Sequence, residues 1–82
     1  MSDGLDQAQA AFHVSAIWDE EAGVFFSQSD IPGLHGEAET FEAFVTLVHA
    51  LAPEMIADNT ALGGKPVAIQ IVARRDVVLS AA

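Results

Sequence analysis

Ser29-Asp30-Ile31-Pro32-Gly33-Leu34-His35-Gly36-Glu37-Ala38-Glu39-Thr40 holds a chain reversal, a short extended piece and a helix start within one stretch. Pro32 fixes φ at about −65°. Gly33 accepts a positive φ, so Pro32 and Gly33 suit the two central positions of a type II turn. Leu34 to Ala38 then leaves room for only a short strand, which Gly36 weakens. Thr40 is a residue type that caps helices through its hydroxyl, and Glu37, Glu39 and Glu42 sit where the positive end of a helix dipole favours acids. Strand patterns precede the stretch and a helical pattern follows it.

Upstream, Phe12, Val14, Ala16 and Trp18 alternate with His13, Ser15 and Ile17, the signature of a strand from Ala11 to Trp18 with one strongly apolar face. Asp19 to Gly23 forms a polar connection closed by a glycine, of a length normal for a hairpin. Val24 to Ser29 follows as a second strand, with Val24 and Phe26 on one face and Phe25 on the other. Phe25, Ile17 and Val72 are therefore expected to be apolar residues outside the core.

Downstream, Phe41, Phe44, Val45, Val48, Leu51, Ala52 and Met55 recur at spacings of three and four, which predicts a helix from residue 40 to about residue 58. Pro53 removes one bond inside it, to the carbonyl of His49, and should bend or tighten the helix there. Asp58 to Lys65 is a glycine-containing loop. Pro66 opens a last strand with Val67, Ile69, Ile71 and Ala73 on one face. Asp76 to Ala82 either continues that strand or forms a frayed tail.

The order is β-β-β-α-β, an α+β domain of two layers. A helix of about 18 residues spans roughly 27 Å, and an eight-residue strand about 26 Å, so one helix covers a small sheet lengthwise. Three strands form an antiparallel meander, and the helix returns the chain so that the fourth strand lies parallel to the first through a right-handed crossover. The expected strand order is 3-2-1-4. Residues 1–10 read as a flexible lead-in, 11–76 as the single domain and 77–82 as a tail.

The chain has 82 residues, 51% of them hydrophobic, enough for a core despite a net charge of −9. It has no cysteine, so disulfides and thiolate metal sites are excluded. The N-terminal residues lack the basic and apolar regions of a signal peptide, and no stretch has the length of a transmembrane helix, so a cytoplasmic location is expected. All three basic residues, Lys65, Arg74 and Arg75, fall late in the chain, and this distribution argues against binding a nucleic-acid backbone directly.

His13, His35 and His49 show no metal-ligand spacing. The carboxylates are mostly contiguous in turns, unlike the separated pair that acid/base catalysis uses. Gly63-Gly64-Lys65 lacks the remaining residues of a phosphate loop and precedes a strand. No enzyme activity, cofactor or metal is expected. The topology brings Asp19, Glu20, Glu21, Glu37, Glu39 and Glu42 to one end of the sheet with Arg74 and Arg75. These acids read first as a solvated surface that complements the helix dipole, and alternatively as a rim that receives a basic partner.

From Phe12 to Asn59 the chain resembles the HicB-like antitoxin family, in particular its small partial-domain members of unknown function. The resemblance lies in the hairpin Trp18-Asp19-Glu20-Glu21-Ala22-Gly23-Val24-Phe25, the turn Ser29-Asp30-Ile31-Pro32-Gly33-Leu34, and Glu39-Thr40-Phe41-Glu42-Ala43 opening a helix that ends near Pro53-Glu54. It implies a fold similar to a trimmed ribonuclease H core without the catalytic acids. It also implies neutralisation of a small basic RNA-cleaving toxin by masking its RNA-binding surface, acidic residues standing in for RNA phosphates. Full antitoxins of this type usually add a DNA-binding segment, whereas here only seven residues follow Arg75, so operator binding is not expected. A different expectation is a stand-alone accessory or oligomerisation domain with no toxin partner, forming homo-oligomers through sheet faces or edges.

Overall fold

The computed structural model describes residues 11–80. The alternating segments form strands β1 (Phe12–Asp19), β2 (Val24–Ser29), β3 (Glu37–Ala38) and β4 (Ile69–Arg74), and the segment of three-and-four spacing forms one helix, α1 (Phe41–Asn59). β1 pairs antiparallel with β2, β2 antiparallel with β3, and β1 parallel with β4, giving the mixed sheet order β3-β2-β1-β4. This is the two-layer α+β arrangement and strand order that the sequence predicts. The lead-in expected at residues 1–10 lies outside the described residues.

The turn chemistry sets the reversals. Gly23 adopts φ 69° and its N–H donates to the Asp19 carbonyl at 2.8 Å, closing the β1–β2 hairpin. Asp19 itself ends β1, so the connection proper is 20–23, one residue shorter than expected. At the second reversal Gly33 has φ 80° and the Leu34 N–H donates to the Ile31 carbonyl at 3.2 Å, the geometry of a type II turn. Thr40 caps α1, its hydroxyl accepting from the Ala43 N–H at 3.0 Å.

The core lies between α1 and one face of the sheet. Phe44, Val48, Ala52 and Ile56, spaced four apart along α1, are buried against Val14 and Ala16 of β1. Ile31 and Leu34 from the turn region complete it, 2% and 5% exposed. Each fully buried large apolar side chain contributes roughly 1.5–3 kcal/mol relative to exposure. Ile31, Leu34 and Ile56 were not among the positions that periodicity picked out: the first two lie in a turn, and Ile56 adjoins Met55, which was assigned to the apolar face in its place.

The register corrects the reading of β2. Trp18 pairs with Phe25 and Ala16 with Ser27, so Phe25 shares the covered face with Trp18 and Ala16. Its ring packs edge-on against Trp18, with centroids 4.9 Å apart, and against Phe41 at 6.3 Å. Phe25 thus lies against the core, and Phe26, 37% exposed, lies on the uncovered face with Ile17 and Val72. Three consecutive apolar residues, Val24-Phe25-Phe26, carry no alternation that says which is inside, and only the pairing resolves it.

Two strands are shorter than expected. β3 is confined to Glu37–Ala38 because Leu34 turns into the core. Gly36 before it is held by the Ser27 hydroxyl, which accepts the Gly36 N–H at 3.0 Å. β4 begins at Ile69, not at Pro66, and the ladder is preceded by the Ala68 carbonyl, which accepts the Ala11 N–H at 2.8 Å. α1 continues through Pro53 to Asn59 as one helix.

Candidate functional site

β1, β3 and β4 run in the same direction, so the ends of these strands and the start of α1 meet at one end of the molecule. All six acids singled out in the sequence belong to segments at that end. Asp19 ends β1, Glu20 and Glu21 lie in the hairpin, Glu37 is on β3, Glu39 leads into the helix, and Glu42 is in its first turn.

The acids are not equivalent. Asp19 is half-buried and structural: its Oδ1 accepts the N–H groups of Glu21 at 3.0 Å and Ala22 at 3.2 Å. Glu20 is drawn into a three-residue cluster, where its Oε1 accepts from Trp18 Nε1 at 3.1 Å and from the Arg75 guanidinium at 3.3 Å. The same guanidinium carbon lies 5.0 Å over the Trp18 ring. Arg74 pairs with Asp76 at 3.3 Å. Both arginines at this end are therefore engaged. Glu21, Glu37, Glu39 and Glu42 are exposed, and among the described residues none of them makes an ion pair.

Glu37 and Asp19 also line a shallow hollow of about 390 Å³ on the uncovered face, together with Phe26, Ser27, His35 and Gly36. Across that face one pairing row runs Arg74, Ile17, Phe26, Glu37. The surface is thus apolar in the middle of the sheet and acidic at the β3 edge. Among the described residues no group of three or more His, Asp or Glu side chains is placed to hold a metal ion.

The opposite end is built differently. Asp30 Oδ1 accepts the His13 backbone N–H at 2.7 Å, and Oδ2 lies 2.9 Å from His13 Nδ1. These contacts, the backbone one first, hold the Asp30 carboxyl below its ordinary pKa. Asn59 at the end of α1 donates to the Pro32 carbonyl at 3.3 Å, tying helix to turn. The stretch 30–33 is therefore packed and bonded on several sides, and it belongs to the scaffold. Sequence reasoning missed the Asp30–His13 pair, because the two residues are 17 apart and no local pattern links them.

Among the described residues, a small four-stranded mixed sheet under one helix, with acids gathered at one end, defines a compact class of α+β domain. The chain belongs to the family described as a domain of unknown function, DUF1902, whose sequence profile matches residues 11–80. It is also similar to a hypothetical protein, TTHA1013, from the extremely thermophilic bacterium Thermus thermophilus, known from a crystal structure. The identity is 36%, the TM-score 0.70, and the match covers 83% of this chain and 97% of that one. Among curated proteins none matches. No helix among the described residues is long and apolar enough to cross a membrane.

Proposed function

We propose that this protein is a binding module for a small basic protein, and that its partner is an RNA-cleaving toxin whose RNA-binding surface it masks in the manner of HicB-like antitoxins. One observation carries the reading: Glu21, Glu37, Glu39 and Glu42 are exposed at one end of the sheet while Arg74 and Arg75 beside them are already engaged. That leaves negative charge without an internal counterpart, on a chain of net charge −9. Such a rim steers a cationic surface into contact and sets its orientation. The resemblance from Phe12 to Asn59 supplies the identity of the partner.

The test is co-purification with a small basic protein encoded beside this one. Glu37→Lys and Glu39→Lys, whose side chains make no hydrogen bond or ion pair among the described residues, should each weaken the complex and make it less sensitive to added salt. A complex unaffected by both substitutions and by salt would remove the acidic rim from the account. A second reading, an accessory domain acting without any toxin, is favoured by the uncovered apolar residues Ile17, Phe26 and Val72. It requires that no basic neighbour binds.

A further inference from the structure

We propose that two copies of this chain associate by antiparallel pairing of their β4 edges, extended through residues 75–79, about a two-fold axis at Arg75. Among the described residues β4 has β1 on one flank and no strand on the other, and a bare strand edge is a template for another strand. Past Arg74 the chain leaves the ladder, and Val77, Val78 and Leu79 stand 64%, 100% and 82% exposed. Among the described residues nothing of their own copy covers these three consecutive apolar side chains.

The segment Ile71-Val72-Ala73-Arg74-Arg75-Asp76-Val77-Val78-Leu79 is self-complementary when read against itself in the antiparallel sense. With Arg75 opposite Arg75 of the second copy, Arg74 of each copy faces Asp76 of the other. Moving outward, Ala73 faces Val77, Val72 faces Val78 and Ile71 faces Leu79. Opposite charges and apolar pairs directly across a ladder both stabilise it. The one like-charge pair lies on the axis, and there each Arg75 is already held by Glu20 at 3.3 Å and by the face of Trp18 within its own copy.

The register is set by elimination. Directly opposed residues share a face of the sheet, so a two-fold axis falls on a residue and not between two. An axis at Arg74 sets Arg74 against itself and Val72 against Asp76. An axis at Asp76 sets Asp76 against itself and both arginines against valines. Only the axis at Arg75 satisfies charge and apolarity together. The interface is isologous, as a two-fold requires. Glu37 and Glu39 lie at and just beyond β3, the opposite edge of the sheet from β4, so the substitutions that test the basic partner leave this interface untouched and the two proposals are tested separately.

Sedimentation equilibrium of the full chain alone tests the proposal. The expected result is a concentration-dependent rise to twice the monomer mass. Val78→Asp changes a fully exposed side chain and leaves the core intact, and it should yield a monomer with unchanged circular dichroism. Arg74→Asp should also dissociate the pair, and the double exchange Arg74→Asp with Asp76→Arg should restore it. Because the chain has no cysteine, Arg75→Cys should form an intermolecular disulfide under mild oxidation, whereas Gln70→Cys, far from the axis, should not. A chain that stays monomeric at its highest soluble concentration would overturn the proposal. So would a dimer that Val78→Asp and Arg74→Asp both leave intact.

Discussion

Asp30 grips His13 at two points, its Oδ1 accepting the backbone N–H at 2.7 Å and its Oδ2 lying 2.9 Å from the ring Nδ1. The Ser29 hydroxyl reinforces this by donating to the His13 carbonyl at 2.9 Å and accepting from the Ile31 N–H at 3.0 Å. The end of β2 and the start of β1 are thus fastened by side chains where the β1–β2 register runs out. Removing that fastening should loosen the hairpin at the end away from its turn. Asp30→Ala is expected to cost about 1–2 kcal/mol, since both partners are half exposed and water replaces part of what is lost. Urea unfolding followed by Trp18 fluorescence measures it, and an unchanged midpoint would show the grip to be idle.

The same carboxylate predicts a pH dependence. Its pKa is lowered in the folded protein, so the unfolded chain binds the proton more readily and stability rises with pH through that window. The contribution is fully present above the ordinary Asp range, which centres on about 4, and disappears as pH falls through the lowered folded value. Asp30→Asn removes this titration. The stability gap between native protein and Asp30→Asn should therefore shrink on acidification below that range, and a gap constant with pH would refute the assignment.

Gly33 is the second place where one residue decides the backbone. At φ 80° a side chain is strained, and a Cβ there would also sit 3.2 Å from Met55 Sδ. Gly33→Ala is expected to destabilise the protein by about 1–2 kcal/mol. Thermal unfolding should report it as a lowered midpoint, and Gly33→Asn, which tolerates positive φ, should recover part of the loss.

Phe44 and Thr40 separate packing from capping on the same helix. Phe44 is 0% exposed, and Phe44→Ala should cost about 3–5 kcal/mol through lost burial and the cavity left behind. In a domain of this size that is a large share of the total stability. Thr40→Ala removes one capping bond to Ala43 and should cost about 1 kcal/mol. Equal effects from the two substitutions would mean that α1 is held mainly by its cap and not by its buried stripe.

Local chemistry made much of this fold readable. Pro32-Gly33 specified a type II turn, Gly23 a hairpin closure and Thr40 a cap, because each depends on one residue's own conformational range. The strand order followed from one helix of the right length returning the chain. The six acids were placed at one end by the same topology. What they do there was not readable in full, because Glu20 is engaged by Arg75, 55 residues away, which only folding brings near, whereas Asp19 bonds locally to its own hairpin.

The sequence by itself determined the elements, their order, and which end carries the acids. Tertiary structure alone decided that Phe25 is covered while Phe26 is not, because alternation has a period but no sign until Trp18 and Phe25 are set opposite one another. It also decided that Asp30 serves the scaffold through His13, 17 residues away, a pair that no local preference encodes. Residue types fix what a backbone can do locally; which side chains meet depends on register, and register is set by the pairing of strands and the closing of their turns.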